Sequence, residues 1–312
     1  MSSMNISPEI ISLIDEIKDD KNHGASQLAR QAARVLRTVA ERSRANSVVQ
    51  FLLEQGRVGE RLMLARPAMA PVSNIVIRLL EAISEKSTEM DMDSVRRFTI
   101  SEADRLIEES WRAIAQIAQN GSELIASGDK IMTHSYSSTV VEVLKAAFNK
   151  HGDIEVITTR SGPGRTGEKI AQELGHYGIP VTFIDDAAMG LYIAMANKVV
   201  VGADRIGADG SLVNGIGTYQ LALAAKMVGI PLYVFGETLK FDSRLKGDQV
   251  DLEEKETSEV VEPGILPDGV GVKNPYFDIT PLELVTGIVT EHGLLTLEEV
   301  ISYIEKQSIN CS

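Results

Sequence analysis

Apolar residues in the first part of the chain recur every three or four positions, the spacing that places them on one face of a helix. Ser7 and Pro8 form a favourable helix start, because serine caps the first turn and proline is tolerated at its first position. The spacing predicts helices from Pro8 onward and over residues 26–45, 47–63, 73–86 and 93–121. Because no strand pattern interrupts them, we expect a helical domain over residues 1–127.

The pattern changes near Gly128, where short β-branched runs begin to alternate with amphipathic segments of roughly 10 to 15 residues. This alternation is typical of a doubly wound parallel sheet, and it predicts an α/β domain over residues 128–312. A helix over about 139–149, capped by Ser137 or Ser138, follows the first strand. The predicted strands are 130–134, 154–159, 181–185, 198–202 and 231–236, with an irregular acidic segment over 242–270, a strand or turn near Asp278 and a last helix over 296–306.

Such a sheet binds ligands at the carboxyl ends of its strands, near the point where the strand order reverses. Ser135 follows the first strand and precedes a helix N-terminus, a place that favours anions. A cysteine at 135 would be a candidate general acid, with a reference pKa of about 8.5. A serine hydroxyl does not ionise near neutral pH without strong activation. The residue at 135 therefore limits the chemistry that this loop supports.

Other loops at the same edge carry further candidates. Asp204 follows the fourth predicted strand, where a carboxylate acts as a general base, orients a hydroxyl or only caps a turn. The glycines around Asn214 and Gly217 either let backbone amides approach a phosphate or serve the turn alone. Lys240 follows the last predicted strand. Its ammonium either meets a ligand phosphate as a point charge or is merely exposed to solvent. Asp278 lies in a turn with two prolines, where we expect it to cap the following helix.

The chain has 312 residues, of which 44% are hydrophobic and 24% charged, values typical of a globular protein with a large core. The net charge of −13 argues against a dedicated nucleic-acid binder and against anionic membrane surfaces. Cys311 is the only cysteine, which excludes an intrachain disulfide, and the five histidines lack metal-ligand spacing. The sequence has no secretory signal and no apolar run of about 20 residues. We expect a cytoplasmic protein without a metal or cofactor.

Five segments in a fixed order resemble one known family: IMTHSYS at 131–137, VGADRI at 201–206, NGIGTYQ at 214–220, ETLKF at 237–241 and NPYFDITP at 274–281. This family holds the alpha, beta and delta subunits of translation initiation factor 2B. It also holds two sugar-phosphate isomerases, which act on methylthioribose 1-phosphate and on ribose 1,5-bisphosphate. The resemblance implies, over the whole chain, a helical N-terminal domain followed by a Rossmann-like domain.

The isomerases that the chain resembles pair the cysteine of a T-H-C motif with the aspartate of G-A-D. Asp204 matches that aspartate, whereas Ser135 stands in place of the cysteine. Loss of a proton-transfer group removes a factor of typically 10² to 10⁴ in rate. The segment Thr133–Ser137 is instead close to the T-H-A-Y-S of the alpha subunit, which implies a pocket kept for a regulatory ligand.

The isomerase pattern also has three cations that this chain lacks. His23 stands in place of an arginine before Gly24 and Ala25, while Gly162 and Gly215 replace an arginine and a lysine. Each lost cation weakens charge-assisted bonding to a phosphate by about 1.5 to 3 kcal/mol. The residues that match the family's pocket are Asn214, Gly217 and Lys240, and those that offer replacement cations are Arg160, Arg165 and Arg205.

Two functions therefore stay open, besides another activity in the same pocket. The first is a regulatory protein like the alpha subunit, which binds a sugar phosphate or nucleotide, forms a homodimer or higher homo-oligomer, and has translation initiation factor 2 as the partner that the resemblance suggests. The second is an aldose-ketose isomerase of a phosphorylated ribose derivative, with Asp204 as base and Ser135 in the cysteine's role. The resemblance implies as ligand-binding residues Gly24, Ala25, His134, Ser135, Arg160, Asp204, Asn214, Gly217 and Lys240.

Overall fold

A computed structural model of the chain describes residues 6–310, with side chains up to residue 307. Cys311 lies outside the described residues. The chain divides into two compact units, the first ending at Arg112 and the second beginning at Ala113. The domain boundary after residue 127 stays a prediction of the sequence.

The first unit is helical, as predicted. Ser7 caps the first helix by accepting the amide hydrogen of Ile10, and Pro8 occupies its first position. The helix predicted from residue 73 begins three residues earlier, because Pro71 lies in the first turn, where its missing N–H is not needed. The helices are α1 Pro8–Lys18, α2 Ala25–Arg42, α3 Val48–Ala65, α4 Ala70–Ser87 and α5 Met92–Ser122, of which α5 continues into the second unit.

The second unit contains the strands, which in chain order are β1 Lys130–Thr133, β2 Glu155–Thr159, β3 Val181–Ile184, β4 Lys198–Val201, β5 Arg205–Ile206, β6 Leu212–Gly215, β7 Leu232–Phe235, β8 Phe277–Thr280, β9 Gly287–Thr290 and β10 Gly293–Leu295. Within the described residues, seven of them form a sheet in the order β10-β9-β7-β4-β1-β2-β3. All of these except β10 run parallel. The strand order reverses between β1 and β4, which places the switch point of a doubly wound sheet there.

Helices cover both faces of this sheet. They are α6 Ser138–His151, α7 Thr166–Tyr177, α8 Met189–Tyr192, α9 Thr218–Val228 and α10 Leu297–Asn310. Leu144 of α6 and Leu174 of α7 are buried in one core, while Leu221 of α9 and Val300 of α10 are buried in another. This layered arrangement confirms the α/β class that the alternating pattern predicts.

The sequence pattern did not predict β5, β6, β9 or β10. The strands β5, β6 and β8 form a second, antiparallel sheet, and β9 and β10 extend the large one. The strand predicted near Asp278 is β8. β5 and β10 are only two and three residues long, too short for a periodic pattern to identify. The acidic segment over 242–270 is irregular and largely exposed, as predicted, and no helix of the described residues is long and apolar enough to cross a membrane.

Candidate functional site

Two loops meet at the switch point between β1 and β4. Ser135 lies in the first loop, and Gly202 and Asp204 lie in the second. The loops approach so closely that a Cβ atom on Gly202 would lie 2.6 Å from Cβ of Ser137. Ser137, not Ser138, caps α6, because its Oγ accepts the amide hydrogen of Val140. This edge of the sheet is where the sequence analysis expects the ligand.

Ser135 has a left-handed backbone conformation with φ of 64°, which costs a non-glycine residue about 1 kcal/mol or more. Its amide donates a hydrogen bond of 2.7 Å to Oγ of Ser161, and its own Oγ lies 3.3 Å from Oγ1 of Thr166. The first contact joins the β1 loop to the loop after β2, and the second joins it to the first residue of α7. A hydroxyl partner does not activate the Ser135 hydroxyl for proton transfer, since activation requires a base.

Gly215 has no side chain, and the Ser135 side chain occupies the space where one would lie. A Cβ atom on Gly215 would lie 2.5 Å from Oγ and 2.8 Å from Cβ of Ser135, well inside van der Waals contact. A lysine at 215, which the isomerase pattern has, would require the Ser135 loop to move. The two departures from that pattern, at 135 and at 215, are therefore in direct contact.

His134 is buried, and both of its ring nitrogens have protein partners. Nδ1 lies 2.6 Å from the hydroxyl of Thr159, and Nε2 lies 2.6 Å from the carbonyl oxygen of Ile216. Burial lowers the pKa of His134, although the Ile216 carbonyl and Asp186 favour the charged form. The neutral ring therefore donates from Nε2 and accepts at Nδ1. These bonds join three loops of the site, and ligand binding by His134 stays a prediction.

Asp278 holds the N-terminus of α9. Its Oδ2 accepts hydrogen bonds of 2.7 Å from the amide of Gly217 and 3.1 Å from that of Tyr219. Burial raises the pKa of Asp278 to about 6, although these two amides lower it. The expectation that Asp278 caps the helix after it is wrong, because β8 pairs with β6 and brings the carboxyl group to α9. Two of the amides that the sequence analysis offered to a phosphate are thus bonded to this carboxylate.

Asn214 and Gly217 shape the loop that leads into α9. Nδ2 of Asn214 donates a 3.0 Å hydrogen bond to Oγ1 of Thr218, which itself donates to the Gly215 carbonyl over 2.7 Å. Gly217 has φ of 105°, and a Cβ atom there would lie 2.7 Å from the imidazole of His134. Only glycine satisfies both requirements. The structure brings both predicted residues to the switch-point loops, where the Asn214 amide is itself buried.

Lys240 is buried rather than exposed. Its ammonium donates a 2.6 Å hydrogen bond to the carbonyl oxygen of Ala203 and lies 3.8 Å from Oε2 of Glu237. The next residue, Asp204, donates its amide hydrogen to the Val213 carbonyl over 2.9 Å. Lys240 thus fixes the backbone that presents Asp204, at the edge of the sheet where both were predicted.

Arg160 and Arg165 line a cleft of about 470 Å³ beside the switch-point loops. Arg160 lies 3.8 Å from Glu168 and 3.9 Å from Asp185, while Arg165 lies 3.9 Å from the same Glu168. These distances are longer than a charge-assisted hydrogen bond of about 2.7 to 2.9 Å. Arg205, the third candidate cation, is instead buried in an ion pair with Asp242.

Asp186 organises this cleft, and the sequence analysis missed it. Its carboxylate accepts hydrogen bonds from the amides of Ser161 at 2.8 Å and Gly162 at 2.7 Å. Ser161 has φ of 57°, so the carboxylate holds a strained turn in place. The only signal in the sequence is a second acidic residue after β3, next to Asp185, which surface loops commonly contain.

Gly24 and Ala25 belong to the first unit, where they begin α2. Gly24 is the N-cap residue, and its amide donates a 3.2 Å hydrogen bond to Oε1 of Gln27. The preceding His23 bonds through Nδ1 to Asp20 over 2.7 Å, in the wall of a cleft of about 640 Å³. Binding of a ligand by Gly24 and Ala25 stays a prediction.

Comparison with known proteins bears on this arrangement. Residues 21–297 match the initiation factor 2 subunit family. The chain belongs to this family. A ribose 1,5-bisphosphate isomerase of Thermococcus kodakarensis is 34% identical, with 94% of this chain and 92% of that protein covered. A putative translation initiation factor eIF-2B subunit 2-like protein of Pyrococcus horikoshii is 35% identical, with 92% and 96% covered.

A solved structure matches nearly the whole length of the chain. The translation initiation factor eIF-2B of Pyrococcus horikoshii superposes with a TM-score of 0.81 at 33% identity, covering 93% of this chain and 98% of that one. Family membership and the helical-then-α/β fold are therefore established. The family's members include proteins named as isomerases and proteins named as initiation factors, so membership alone does not separate the two functions.

Proposed function

We propose that the chain is a regulatory member of the initiation factor 2 subunit family that binds a sugar phosphate or nucleotide without isomerising it. The observation that carries the proposal is Ser135. A serine stands where the isomerase pattern has a cysteine, and its hydroxyl contacts Thr166 rather than a base. The proton transfer that interconverts an aldose and a ketose needs a group with a pKa near the working pH, and a serine hydroxyl with a hydroxyl partner does not supply one.

The phosphate of the ligand would bind at the cleft beside the switch point. Arg160 is the first candidate, because it follows β2 directly and its contacts with Glu168 and Asp185 are long. A phosphate that forms shorter, charge-assisted bonds with the guanidinium would displace these acidic partners. The nearby Asp186 is engaged by two backbone amides, which reduces its repulsion of an anion.

A thermal-shift titration tests this site. At 100-fold its dissociation constant, ribose 5-phosphate, ribose 1,5-bisphosphate or adenosine monophosphate should add about 2.7 kcal/mol of stability, seen as a rise of a few degrees in Tm. Arg160→Ala should weaken binding by about ten- to a hundredfold, since a charged hydrogen bond contributes about 1.5 to 3 kcal/mol. Arg112→Ala, which removes an exposed arginine of α5, should leave the affinity unchanged.

Unphosphorylated ribose and adenosine serve as ligand controls and should give no shift. If none of the phosphorylated compounds binds, the proposal of a phosphorylated ligand is wrong. If one of these compounds binds the Arg160→Ala protein as tightly as the wild type, the chain binds a phosphorylated ligand but Arg160 is not the cation that contacts its phosphate.

The isomerase is the second candidate, favoured by the retained Asp204 and by relatives named ribose 1,5-bisphosphate isomerase. A purified wild-type protein that converts ribose 1,5-bisphosphate, and loses this turnover in Asp204→Asn, would overturn the regulatory proposal. We expect no turnover in the wild type. Ser135→Cys should then show whether the remaining groups support catalysis, because it restores the acidic thiol.

We also propose that the chain self-assembles into a homodimer or higher homo-oligomer and works in the cytoplasm, where translation initiation takes place. Its proposed protein partner is translation initiation factor 2. Co-purification of tagged protein from its own cells, followed by mass spectrometry, tests the partner. Recovery of initiation factor 2 in stoichiometric amount supports it, and its absence from the eluate counts against it.

A further inference from the structure

The first unit contains a cleft of about 710 Å³ where α1, α2 and α3 pack against one another. Its floor is apolar, because Ile10 of α1, Val39 of α2 and Val58 of α3 line it and are buried there. Small-molecule sites typically measure about 300 to 1,000 Å³ and combine an apolar lining with a few polar groups that orient the ligand. This cleft therefore has the size and the floor of a ligand site.

Charged side chains of both signs surround this floor, and most of them already have partners. Arg42 and Glu9 form an ion pair with each other, and Arg57 is engaged as well. Within residues 6–307, the Arg44 guanidinium has no hydrogen bond or ion pair. The Glu54 carboxylate accepts one hydrogen bond, and over the same range it has no ion pair. One cation and one anion of the cleft are therefore available to a ligand.

Ser43 and its hydrogen bonds place these two charged residues next to each other. The Ser43 hydroxyl donates a 2.5 Å hydrogen bond to Oε2 of Glu54 and accepts the amide hydrogen of Ala45 over 3.2 Å. The Ser43 carbonyl accepts a 3.1 Å hydrogen bond from Arg96 of α5, which fixes the loop between α2 and α3. Arg44 is the residue that follows Ser43, so it and Glu54 are neighbours in the wall of the cleft.

We propose that this cleft, which we call the α1–α3 cleft and define by Ile10, Val39, Arg44, Glu54 and Val58, binds an apolar α-amino acid such as leucine or phenylalanine. The ligand carboxylate binds the Arg44 guanidinium, whose planar fork matches the two oxygens of a carboxylate. The ligand ammonium binds Glu54, and the apolar side chain lies on the floor.

Only a ligand with both charges satisfies both residues. A carboxylic acid with an apolar chain would leave Glu54 without a partner, and an amine would leave Arg44 without one. An α-amino acid carries its ammonium and its carboxylate on the same carbon atom, which suits two charged residues that are neighbours in one wall. The α1–α3 cleft lies in the first unit, so this inference goes beyond the phosphorylated ligand proposed for the second unit and does not depend on it.

Isothermal titration calorimetry of the full chain with L-leucine and L-phenylalanine tests the site. We expect one molecule to bind per chain, and Arg44→Gln and Glu54→Gln each to weaken binding at least tenfold, because each removes a charge-assisted bond. Glu54→Gln keeps an acceptor for the Ser43 hydroxyl, so the loop should stay in place. Arg61→Gln and Glu60→Gln change exposed residues of α3 outside the cleft and should bind like the wild type. Far-ultraviolet circular dichroism should be the same for all of these proteins.

Ligand analogues identify which charge of the amino acid meets which residue. Leucine amide lacks the carboxylate and 4-methylpentanoate lacks the ammonium, so both should bind the wild type at least tenfold more weakly than leucine. Arg44→Gln should then weaken the binding of leucine but not that of leucine amide. Glu54→Gln should weaken the binding of leucine but not that of 4-methylpentanoate. These pairings form double-mutant cycles between protein and ligand, which isolate each contact.

Three results would overturn the proposal. The first is that neither leucine nor phenylalanine binds. The second is binding that Arg44→Gln and Glu54→Gln leave unchanged, because the amino acid then lies elsewhere. The third is binding of 4-methylpentanoate as tight as that of leucine, which would make the ligand a simple carboxylate. None of these results bears on the phosphorylated ligand, which the titrations of the Arg160→Ala protein test separately.

Discussion

Ser135 and Lys240 illustrate how neighbours decide what a single side chain does. The Ser135 hydroxyl faces Thr166, and its side chain occupies the space beside Gly215. The Lys240 ammonium is buried and donates a hydrogen bond to the Ala203 carbonyl, so it fixes the loop that carries Asp204. Residue types that suggest proton transfer and phosphate binding are here engaged in fixing backbone. These contacts therefore fix the two loops that carry Ser135 and Asp204.

The contact between Ser135 and Gly215 predicts how a methyl group added at position 215 changes the stability of the protein. Gly215→Ala should lower the free energy of unfolding by about 1 to 3 kcal/mol, because its Cβ would overlap with Oγ of Ser135 and force the loop to shift. Urea unfolding followed by circular dichroism measures the change. Gly175→Ala in α7, where a Cβ meets nothing within 4 Å, is the control and should gain up to about 1 kcal/mol. Equal stabilities of the two variants would contradict the contact.

The N-terminus of α9 shows the same principle at the scale of an element. A free helix N-terminus attracts an anion, because its first amides lack intrahelical acceptors. Here the carboxylate of Asp278 takes that position, delivered by the pairing of β8 with β6. The Asp278 carboxylate therefore fixes the N-terminus of α9, and with it the loop from Asn214 that leads into this helix.

The raised pKa of Asp278 predicts how stability changes with pH. The folded protein binds this proton with a pKa of about 6, against 3.8 for the unfolded reference. The folded state therefore holds the proton more tightly, and the contribution of Asp278 to stability falls as pH rises from about 4 to about 6. The loss should amount to about 2 to 3 kcal/mol, at about 1.4 kcal/mol for each pKa unit.

Asp278→Asn keeps an acceptor for the two amides but removes the titration. Urea unfolding at pH 4 and at pH 7.5 measures the unfolding free energy of both proteins. Between these two pH values we expect the wild type to lose about 2 to 3 kcal/mol relative to Asp278→Asn. Asp268→Asn, at an exposed acid of the irregular segment, should show a wild-type profile. Parallel pH profiles for all three proteins would show that Asp278 titrates normally.

At the scale of the whole molecule, charge and apolar surface are distributed unevenly. The net charge is −13, yet residues 187–196 contain no charged side chain and α9 contains only Lys226. Copies of a chain this acidic repel each other, and they associate most easily where the contacting surfaces carry little charge. Self-association should therefore respond to salt in the direction opposite to an interface built from ion pairs.

The proposed self-assembly should become tighter as salt rises. Between about 0.01 M and about 0.15 M ionic strength the Debye length shortens from about 30 Å to about 8 Å, which screens the repulsion between the two acidic copies. Sedimentation equilibrium at both salt concentrations measures the dissociation constant. Leu64→Gln, which changes an exposed residue of α3 without adding charge, should show the wild-type salt dependence. A dimer that weakens in higher salt would indicate an interface made of opposite charges instead.

The sequence by itself predicted the succession of elements and the edge of the sheet that carries the site. Apolar spacing of three to four residues and short β-branched runs are local signals, so the helices of the first unit and the strands β1 to β4 and β7 were found within a few residues. Parallel strands then require their carboxyl ends to meet at one edge, which brings Ser135 and Asp204 near each other. β5 and β10, with two and three residues, are too short to carry such a signal.

Only the tertiary structure decided how these residues are used. The bond from Gly217 to Asp278 spans 61 positions, and those from Ser161 and Gly162 to Asp186 span about 25, so neither is visible in any local pattern. Burial of Lys240 and of the His134 ring, and the exposure of Leu223 and Met227, likewise depend on which surfaces the fold brings together. Periodicity is determined by neighbours in the chain, whereas hydrogen-bond partners and burial are determined by neighbours in space.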